Sequence, residues 1–523
     1  MKKNLFVFLV LIFLSTLIVT ALPASAEEVK MNHNIKSGLV TMVDATTDLS
    51  VTLNPKTTEN YYPSSRQWNG IPSVITCGNN IFVAWYTGGP KEPSTDNYVV
   101  VAASDDGGAT WIDPFIIIDP LDTSMRTVVP MFFYNADGDL WLAYRNWEVG
   151  YEGIRLLNAD GDLALITHSA PQRPNGHHSS FTKPTLLKDG RLVYASGGAD
   201  TAVFESKDGG NSFQLLANLS SAATGSGKKV YSEACIVELS DGTLWVTSRL
   251  ESGYNGGIEQ GFSTDGGKTW SVLEANLPEP LRGPGSRFAM RKLQSGAIIL
   301  INHNSTTRNN MTAYLSYDDG HTWPYSLLLD KYETSYPDVY QSEDGKIYVV
   351  FDKGRYTEAG IRLCILTEDD IKAGKMYTEE SRDKLVVAKA NEEYADIISV
   401  NDAYELEYVK KVGTPSSEIR DRLPTEFVVT DSNGTEHTLS GTWKSPGYTE
   451  EKAGTYEIVF QTDLPAALLD SYNMLTIHVT LSEDDPSSGC SGSVFVGGGL
   501  LAVSVISGAA VLLKKRKREL KKI

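Results

Sequence analysis

The sequence predicts an all-β fold: a six-bladed β-propeller, a small β-sandwich after it, and one transmembrane helix near the C-terminus. Three observations in the 523 residues support this organisation. A two-strand unit recurs six times, a further group of short strands follows residue 402, and the uncharged segment 492–513 precedes a basic tail. The repeat carries the most weight, because self-similarity at a period of about 50 residues is typical of ring-shaped or stacked repeat folds.

The repeated unit consists of an apolar strand, a turn that contains glycine and a second apolar strand, as in MFFYNADGDLWLAYR (131–145). The turn glycines of the six copies are Gly78, Gly138, Gly190, Gly242, Gly296 and Gly345. The second strand of each copy alternates between apolar and polar residues, as in a β-hairpin. Six such hairpins predict six blades; an open solenoid is the alternative.

A second turn motif, S-x-D-x-G-x-[ST]-[WF], follows four of the six hairpins. Its copies are SDDGGATW (104–111), SKDGGNSF (206–213), STDGGKTW (263–270) and SYDDGHTW (316–323). We expect the serine and aspartate to bond the backbone of their own turn and the glycine to adopt a positive φ. The aromatic residue should fill the space between neighbouring sheets. The motif therefore supports the fold rather than a reaction.

The two ends of the sequence indicate export and anchoring. Residues 1–26 combine early lysines, an apolar run and an Ala-Ser-Ala site, the pattern of a secretory signal peptide, with an uncleaved anchor helix as the alternative. Residues 492–513 are long enough to cross a bilayer, and the tail 514–523 is basic. Because positive charge stays cytoplasmic, we expect a single-pass protein on the extracellular face of a bacterial cell membrane, with its C-terminus in the cytoplasm.

The remaining residues divide into five parts. They are a lead segment that adds the ring-closing strand (27–60), the propeller (61–375), a linker (376–402), the sandwich (403–482) and a flexible stalk (483–491). In the sandwich, Trp443 followed by GTYEIVF resembles the bacterial immunoglobulin-like (Ig-like) modules of cell-surface proteins. We expect this domain to be a spacer; glycan binding is the alternative.

Charge and cysteine content narrow the possible partners. The formal net charge is −18, and it is −26 once the two leader lysines and the net +6 of residues 514–523 are set aside. An acidic ectodomain argues against nucleic acid as a partner, and an anionic substrate would need locally concentrated arginines. Four cysteines are too few for a disulfide framework, so we expect free thiols and assign no metal and no cofactor.

Polar side chains recur where the inner strands of a propeller converge near its axis. The starts of four first strands carry Lys183, Glu233, Arg287 and Tyr336. The position seven residues after the turn glycine carries Arg145, Arg249, His303 and Asp352 in four copies. We expect these groups to line one pocket, because concave sites with a few convergent polar groups are where ligands bind. Structural salt bridges between blades are the alternative.

The four-fold turn motif resembles the Asp box of bacterial and animal sialidases, and the propeller resembles theirs over about 60–375. Asp boxes also occur in non-catalytic propellers, so this part of the resemblance implies the fold. Sialidases cleave a sugar whose anomeric carbon bears a carboxylate, and they use a tyrosine nucleophile. SYPDVYQSEDG matches their nucleophile segment, which implies that Tyr336 is the nucleophile.

The same resemblance implies the other catalytic groups. YSEACIVELSDGTLWVTSR matches the sialidase segment that carries the base and one carboxylate-binding arginine, which implies these roles for Glu233 and Arg249. The acid/base aspartate lies just upstream of the first Asp box; Asp96 is the first choice and Glu92 the reserve. Each of these residues also has a structural alternative, as a strand-edge aromatic, an inter-blade partner or a solvated loop carboxylate.

The carboxylate-binding arginines show one departure from the family. Arg308 in STTRNN matches a second arginine, but Gly70 stands where sialidases carry an arginine immediately before the first Ile-Pro. Two clamping guanidinium groups recognise a carboxylate less well than three. Substitutes could come from Arg66, Arg145 or Arg287.

The resemblance therefore implies a retaining exo-α-sialidase that releases terminal sialic acid from glycoconjugates. Three alternatives remain: a propeller hydrolase for another acidic sugar, a non-catalytic glycan-binding propeller, and a protein-interaction scaffold.

Overall fold

The computed structural model describes residues 29–30, 41–44, 61–119, 126–146, 150–172, 182–197, 201–219, 230–250, 257–391, 394–401, 403–465, 467–470 and 472–483. The predicted signal peptide, transmembrane helix and basic tail lie outside these residues, as does all but residue 483 of the stalk. Within the described part of the chain, no helix is long and apolar enough to cross a membrane. The anchor and the surface location stay predictions.

Two short strands, β1 (Val29–Lys30) and β2 (Thr41–Asp44), precede a series of antiparallel units. The first unit contains β3 (Asn69–Cys77), β4 (Asn80–Thr87), β5 (Tyr98–Ser104) and β6 (Ile112–Asp119). The second contains β7 (Thr127–Tyr134), β8 (Leu140–Asn146), β9 (Gly150–Leu157) and β10 (Thr167–His168). The third contains β11 (Thr185–Leu186), β12 (Leu192–Gly197), β13 (Thr201–Ser206) and β14 (Gln214–Asn218).

Three more units follow in chain order. The fourth contains β15 (Val230–Glu238), β16 (Leu244–Leu250) and β17 (Ile258–Ser263). The fifth contains β18 (Ala289–Lys292), β19 (Ile298–His303), β20 (Met311–Ser316) and β21 (Tyr325–Asp330). The sixth contains β22 (Thr334–Gln341), β23 (Ile347–Lys353), β24 (Gly360–Leu366) and β25 (Arg382–Lys389). Short helices occur at Pro63–Ser65, Leu163–Leu165 and Glu368–Ala373.

The apolar core lies between the units and closes them into a ring. In the described residues, each of six apolar clusters joins two neighbouring units. One of these joins the first unit to the last, where Val83 and Trp85 share a core with Val350 and Leu363. A closed ring of six antiparallel units is a six-bladed β-propeller, which confirms the predicted propeller.

The boundaries of the propeller differ in detail from the assigned ones. Arg382–Lys389, inside the range assigned to a linker, is the outer strand of the sixth blade. Of the lead segment, Thr41–Asp44 pairs in parallel with Ile112–Asp119 on the outer edge of the first blade. Val29–Lys30 pairs with the outer edge of the second blade. The ring-closing role of this segment stays a prediction, because the rest of it lies outside the described residues.

The four Asp boxes have the predicted chemistry. In the third copy, the Asp265 carboxylate accepts hydrogen bonds from the Ser263 hydroxyl at 2.9 Å and from the backbone and hydroxyl of Thr269 at 2.9 and 2.7 Å. Gly267 has a φ of 92° and donates to Ser263. The aromatic residue Trp270 packs against the core shared by the third and fourth blades. The Asp-box turn of this copy therefore fixes its blade to the neighbouring one, as the sequence predicts.

After the propeller, two four-stranded sheets form a small β-sandwich. One sheet contains Ala395–Ser399, Glu426–Asp431, Glu436–Ser440 and Leu468–Leu469. The other contains Glu407–Lys411, Thr442–Lys444, Gly454–Gln461 and Thr476–Ser482, and a short helix spans Ser416–Arg420. The buried Trp443 packs on Phe460 with ring centroids 5.0 Å apart. The Ig-like assignment and the spacer role stay predictions.

Candidate active site

Tyr336 lies on the inner strand of the sixth blade in a strained backbone conformation. Its φ is 49°, and the pairing of β22 with β23 shifts register between Ser335 and Asp338. The same irregularity recurs in the first two blades, where Ile71 and Val129 have φ values of 55° and 52°. All three residues precede a proline. A positive φ at a bulky residue costs about 1–3 kcal/mol, so the surrounding contacts must hold these bulges in place.

Arg287 provides one of those contacts. Its guanidinium donates to the backbone carbonyl of Tyr336 at 3.0 Å and to that of Pro72 at 2.9 Å, which links the bulges of the sixth and first blades. The side chain is 1% exposed and lies 5.4 Å from the centroid of the Tyr336 ring. These two hydrogen bonds give Arg287 a supporting position beside the tyrosine backbone, whereas the sequence analysis assigns it to substrate binding. The Arg287 guanidinium lies in the site, but it already donates hydrogen bonds to two backbone carbonyl groups.

Arg249 joins the two principal catalytic candidates. Its Nη1 atom donates to the Glu233 carboxylate at 2.6 Å and to the Tyr336 hydroxyl oxygen at 3.0 Å. All three side chains are buried, at 7%, 4% and 7% exposure for Arg249, Glu233 and Tyr336. The structure therefore brings together the nucleophile, base and first arginine that the sequence selects. One nitrogen atom lies between the phenol and the carboxylate.

The surroundings of Tyr336 decide its protonation state. Burial, and after it the negative charge of Glu233, raises the pKa of the Tyr336 hydroxyl to about 12, although Arg249 and Arg355 act in the opposite direction. The phenol is therefore neutral at physiological pH. A neutral phenol is a weak nucleophile, so this tyrosine needs an adjacent base to react. Glu233 is the carboxylate nearest to this role, because it accepts a hydrogen bond from the same nitrogen of Arg249 as the Tyr336 hydroxyl does.

Two further guanidinium groups face the tyrosine ring. Arg308 is half-buried, donates to the Gly285 carbonyl at 3.2 Å and lies 5.3 Å from the ring centroid. Arg355, which the sequence reasoning missed, is 8% exposed and lies 4.3 Å from it. Arg355 occupies the turn after β23, outside the repeated positions, and its spacing of three residues from Asp352 is the only sequence signal that could have found it. Together with Arg249 and Arg287, they concentrate positive charge inside an acidic chain.

The two candidates for the acid/base occupy different environments. Asp96 is exposed, and its carboxylate accepts a hydrogen bond from the Ser94 hydroxyl at 3.3 Å. Glu92 is half-buried and contacts the Arg355 guanidinium and the Tyr86 hydroxyl. Glu92, the reserve candidate, therefore lies in the arginine cluster, and Asp96, the first choice, lies on the loop beside it.

Of the possible substitutes for the missing arginine, Arg66 is committed elsewhere. It forms a two-pronged ion pair with Asp113, at 2.7 and 2.6 Å, donates to the Tyr61 carbonyl at 3.0 Å and lies over the Trp85 ring. These contacts give it a structural role at the outer strands of the first blade, and its assignment to the substrate stays a prediction. Arg145 is half-buried on β8 opposite Tyr151, and its substrate-binding role stays a prediction.

A family model described as a BNR repeat-like domain matches residues 79–349, more than half of the chain. The chain belongs to the BNR repeat-like domain family. Two curated relatives of this BNR repeat-like chain are named sialidase. The one from Vibrio cholerae serotype O1 is 29% identical over 249 residues, which cover 42% of this chain and 32% of the relative. The one from Micromonospora viridifaciens is 28% identical over 332 residues, which cover 56% and 50%.

Solved structures give a more distant likeness to this BNR repeat-like chain. The Hadza microbial sialidase Hz136 has a TM-score of 0.47 and 17% identity, and the match covers 58% of this chain and 66% of that one. The intramolecular trans-sialidase from Ruminococcus gnavus has a TM-score of 0.46 and 17% identity, covering 60% and 97%. Of the curated relatives above, this chain spans half the length or less.

Beside the arginine cluster, a buried ion pair crosses the axis of the BNR repeat-like propeller. Lys183 of the third blade contacts the Asp338 carboxylate of the sixth, and also donates to the Ser73 hydroxyl and the Val74 carbonyl at 3.0 and 2.8 Å. Burial lowers the pKa of Lys183 to about 8, although Asp338 favours its charged form. Three blades thus meet at one carboxylate, two residues from Tyr336. The contacts of Lys183 and Asp338 fit the alternative of a structural salt bridge between blades. The Tyr336 cluster instead combines a phenol, a carboxylate and several arginines, the residue types expected of a catalytic site.

Proposed function

We propose that this chain is a sialidase-type glycoside hydrolase that releases terminal sialic acid from glycoconjugates, with retention of configuration and with Tyr336 as the nucleophile. One observation carries the proposal. The Tyr336 hydroxyl and the Glu233 carboxylate contact the same nitrogen of Arg249, and the guanidinium groups of Arg308 and Arg355 lie within 5.3 Å of the tyrosine ring centroid. A phenol, a base and several cations are the groups needed to attack an anionic sugar.

The charge of the substrate explains a tyrosine nucleophile. In a sialoside, the anomeric carbon bears a carboxylate, which would repel a carboxylate nucleophile. A neutral phenol avoids this repulsion, and tyrosine is the known exception to the two-carboxylate scheme of glycosidases. Arg249 and Arg308 are placed to bind the substrate carboxylate, because guanidinium groups pair with carboxylates in a planar, two-pronged geometry.

The proposed reaction has two steps. In the first, the Tyr336 oxygen attacks the anomeric carbon while Glu233 takes the phenol proton, and an acid donates a proton to the departing glycosidic oxygen. In the second, the same acid, now a base, takes a proton from water, whose oxygen displaces Tyr336 as the phenol regains its proton from Glu233. We assign the acid/base role to Asp96, which is exposed and forms no ion pair with an arginine among the described residues.

A second candidate has one observation in its favour. Gly70 removes the arginine that the sialidase resemblance implies, which favours either another acidic sugar or a propeller that only binds glycans. Both alternatives keep a cationic pocket. They differ from the proposed function in the sugar released, or in whether any sugar is released.

The deciding experiment is sugar release from an aryl sialoside by the purified protein, by its Tyr336→Phe variant and by a Tyr340→Phe control on the same strand. Tyr340 packs in the apolar core between the first two blades, so its substitution removes a hydroxyl without touching the arginine cluster. We expect release by the parent and the control, near-complete loss in Tyr336→Phe, and the α anomer as the first product by proton NMR. Release that persists in Tyr336→Phe would exclude Tyr336 as the nucleophile. A folded parent that releases no sialic acid would exclude the sialidase function.

A further inference from the structure

The Arg355 side chain is held in place by several contacts, yet one of its guanidinium nitrogens forms no hydrogen bond within the described residues. Its Nε atom donates to Asp352 at 2.9 Å, its Nη1 atom contacts Glu92, and its guanidinium lies 5.1 Å from the Trp68 ring and 4.3 Å from the Tyr336 ring. Its Nη2 atom is buried and has no hydrogen-bond partner among the described residues. A buried donor without a partner is costly unless something else binds it.

Arg355 can take this position only because residue 70 has no side chain. A Cβ atom built on Gly70 would lie 2.8 Å from Nη2 of Arg355 and 2.7 Å from the Trp68 ring. Contacts that short essentially never occur, so any side chain at position 70 would displace the guanidinium. An arginine at position 70 and Arg355 in its present place therefore exclude each other.

Asp352 fixes the same geometry from the other side. One of its carboxylate oxygens accepts hydrogen bonds from Nε of Arg355 at 2.9 Å and from the backbone N–H of Ile71 at 3.1 Å. Ile71 is the strained residue that follows Gly70. The backbone at position 70 and the guanidinium of Arg355 are thus held by one carboxylate, which ties the first blade to the sixth at the edge of the site.

We propose that Arg355 is the third substrate-carboxylate arginine of the site, supplied by the turn after β23 in place of an arginine at position 70, and that the substrate carboxylate replaces Glu92 at its carboxylate-binding edge. The inference rests on the proposed function. The Nη1–Nη2 edge of Arg355 can accept a carboxylate in two-pronged geometry, because Asp352 uses only Nε. Glu92 is half-buried, contacts Nη1, and is replaced there by the substrate.

The competing explanation is that Arg355 only ties its turn to the first blade through Asp352 and Glu92. The two explanations differ in what happens to charge recognition. A carboxylate-binding arginine distinguishes an acid from its neutral ester, whereas a structural arginine affects both ligands alike. The preference for the acid over the ester is therefore the measurement that separates them.

The test is calorimetric binding of N-acetylneuraminic acid and of its C1 methyl ester to the full protein and to Arg355→Gln. Glutamine can still donate to Asp352, so the fold should be kept, and thermal unfolding checks this. We expect the preference for the acid to fall by roughly 10- to 100-fold, as for loss of a charge-assisted hydrogen-bond pair. Affinity for the ester should change by less than about 3-fold. Arg155→Gln, which removes an arginine paired with Asp139 and stacked on Trp141 in the second blade, is the matched control.

Relocating the arginine gives a second, independent readout. Gly70→Arg alone should lose most of the acid preference, because the new side chain and Arg355 compete for one space. Combined with Arg355→Gln, it should recover that preference in protein whose thermal unfolding is unchanged, because the Trp68 ring, 2.7 Å from a Cβ at position 70, must shift as well. If Arg355→Gln does not fold, Arg355→Lys keeps the charge without the planar edge, and we expect it to lower the acid preference by at least about 5-fold.

The outcomes separate this inference from the proposed function. A parent that prefers the acid, with a preference unchanged in Arg355→Gln or Arg355→Lys, would overturn the role of Arg355 and leave the sialidase function standing. A folded parent that binds neither ligand would overturn the proposed function and this inference with it. An equal loss of affinity for the acid and the ester would assign Arg355 a structural role only.

Discussion

The Nη1 atom of Arg249 lies 3.0 Å from the hydroxyl oxygen of Tyr336, and it is the donor in this contact. The phenol oxygen therefore accepts a hydrogen bond from a cation. Such a bond stabilises the negative charge that develops on the oxygen as its proton leaves, without any reorganisation at that moment. Arg249 thus has two roles open to it, one toward the nucleophile and one toward the substrate carboxylate.

The first prediction compares Arg249 with Arg66. Arg249→Gln should lower kcat/KM for an aryl sialoside by roughly 100-fold or more, because it removes a charge-assisted contact to both the nucleophile and the base. Arg66→Gln should leave kcat/KM within about 2-fold and lower the free energy of unfolding by about 1–3 kcal/mol, because it leaves Asp113 without its partner. Initial-rate kinetics and urea unfolding on both variants give the comparison. An Arg66→Gln variant with normal stability and a large rise in KM would contradict the structural role.

The second prediction distinguishes the two acid/base candidates. A general acid matters most when the leaving group is a poor one. Asp96→Asn should therefore lose far more activity on a sialyl-lactose than on an activated nitrophenyl sialoside, by a factor of roughly 100. Glu92→Gln should affect both substrates to a similar extent, since Glu92 is the partner of Arg355, and Arg355 in our proposal binds the carboxylate that both substrates share.

The reverse pattern, with Glu92→Gln selective for the poor leaving group, would move the acid/base role to Glu92. Comparing kcat values for the two substrates, in the parent and both variants, gives the answer. Ser94→Ala is a suitable control, because it removes the hydroxyl that bonds Asp96 but keeps both carboxylates.

Most of the propeller could be predicted from the sequence, because each repeat is specified by residues that are close together in the chain. Each Asp box encodes its own turn, its own positive-φ glycine and its own aromatic wedge, so four copies in register specify blades. The outer strand Arg382–Lys389 falls in the segment assigned to a linker, because charged residues flank its short apolar run LVVA. Local composition was a poor guide there because pairing with β24 decides the structure.

The candidate active site also contains residues that could be predicted from the sequence and residues that could not. Tyr336, Glu233 and Arg249 lie at repeated positions of the blades, so they could be selected from the sequence. Arg355 could not be selected, because it lies in a turn outside the repeat. Its position also depends on the absence of a side chain at Gly70, which only the folded structure shows. The commitment of Arg66 to Asp113 is equally invisible in the sequence, since the two residues are 47 positions apart and meet only in the folded blade.

The third prediction concerns the axial pair of Lys183 and Asp338. Asp338→Asn removes the anion and leaves the Lys183 charge buried, which should lower the free energy of unfolding by about 3–5 kcal/mol. Replacing both, as Lys183→Met with Asp338→Asn, should recover part of that loss, because the Lys183 charge is removed with its partner, although Arg287 and Arg291 still lose the nearby carboxylate. Urea unfolding of the single and double variants measures this coupling. Additive losses in the double variant would show that the pair does not act as a unit.

The fourth prediction concerns the acid stability of the propeller through His303, which lies beside the site. The ring is 1% exposed, and its Nε2 atom bonds the Thr334 carbonyl at 2.8 Å, so the bonded nitrogen must carry a proton. Burial lowers the pKa of His303 to about 4; the charge of nearby Arg308 acts in the same direction, and Asp352 opposes it. An unfolded histidine has a pKa of about 6.5. Between these values the unfolded chain binds a proton that the folded chain does not, so His303 makes the protein less stable as the pH falls.

The expected loss from pH 6.5 to pH 4 is about 3 kcal/mol from this residue. Asp470 acts with the opposite sign in the same range, because burial raises its pKa to about 7 and the folded chain then binds the extra proton. The measurement is therefore the difference between the parent and a His303→Gln variant, in urea unfolding at pH 4.5, 5.5 and 6.5. Glutamine can still donate to the Thr334 carbonyl, so the variant should be less sensitive to acid than the parent. Parallel stability profiles for the two proteins would show that His303 is protonated in the folded state at these pH values, contrary to its burial.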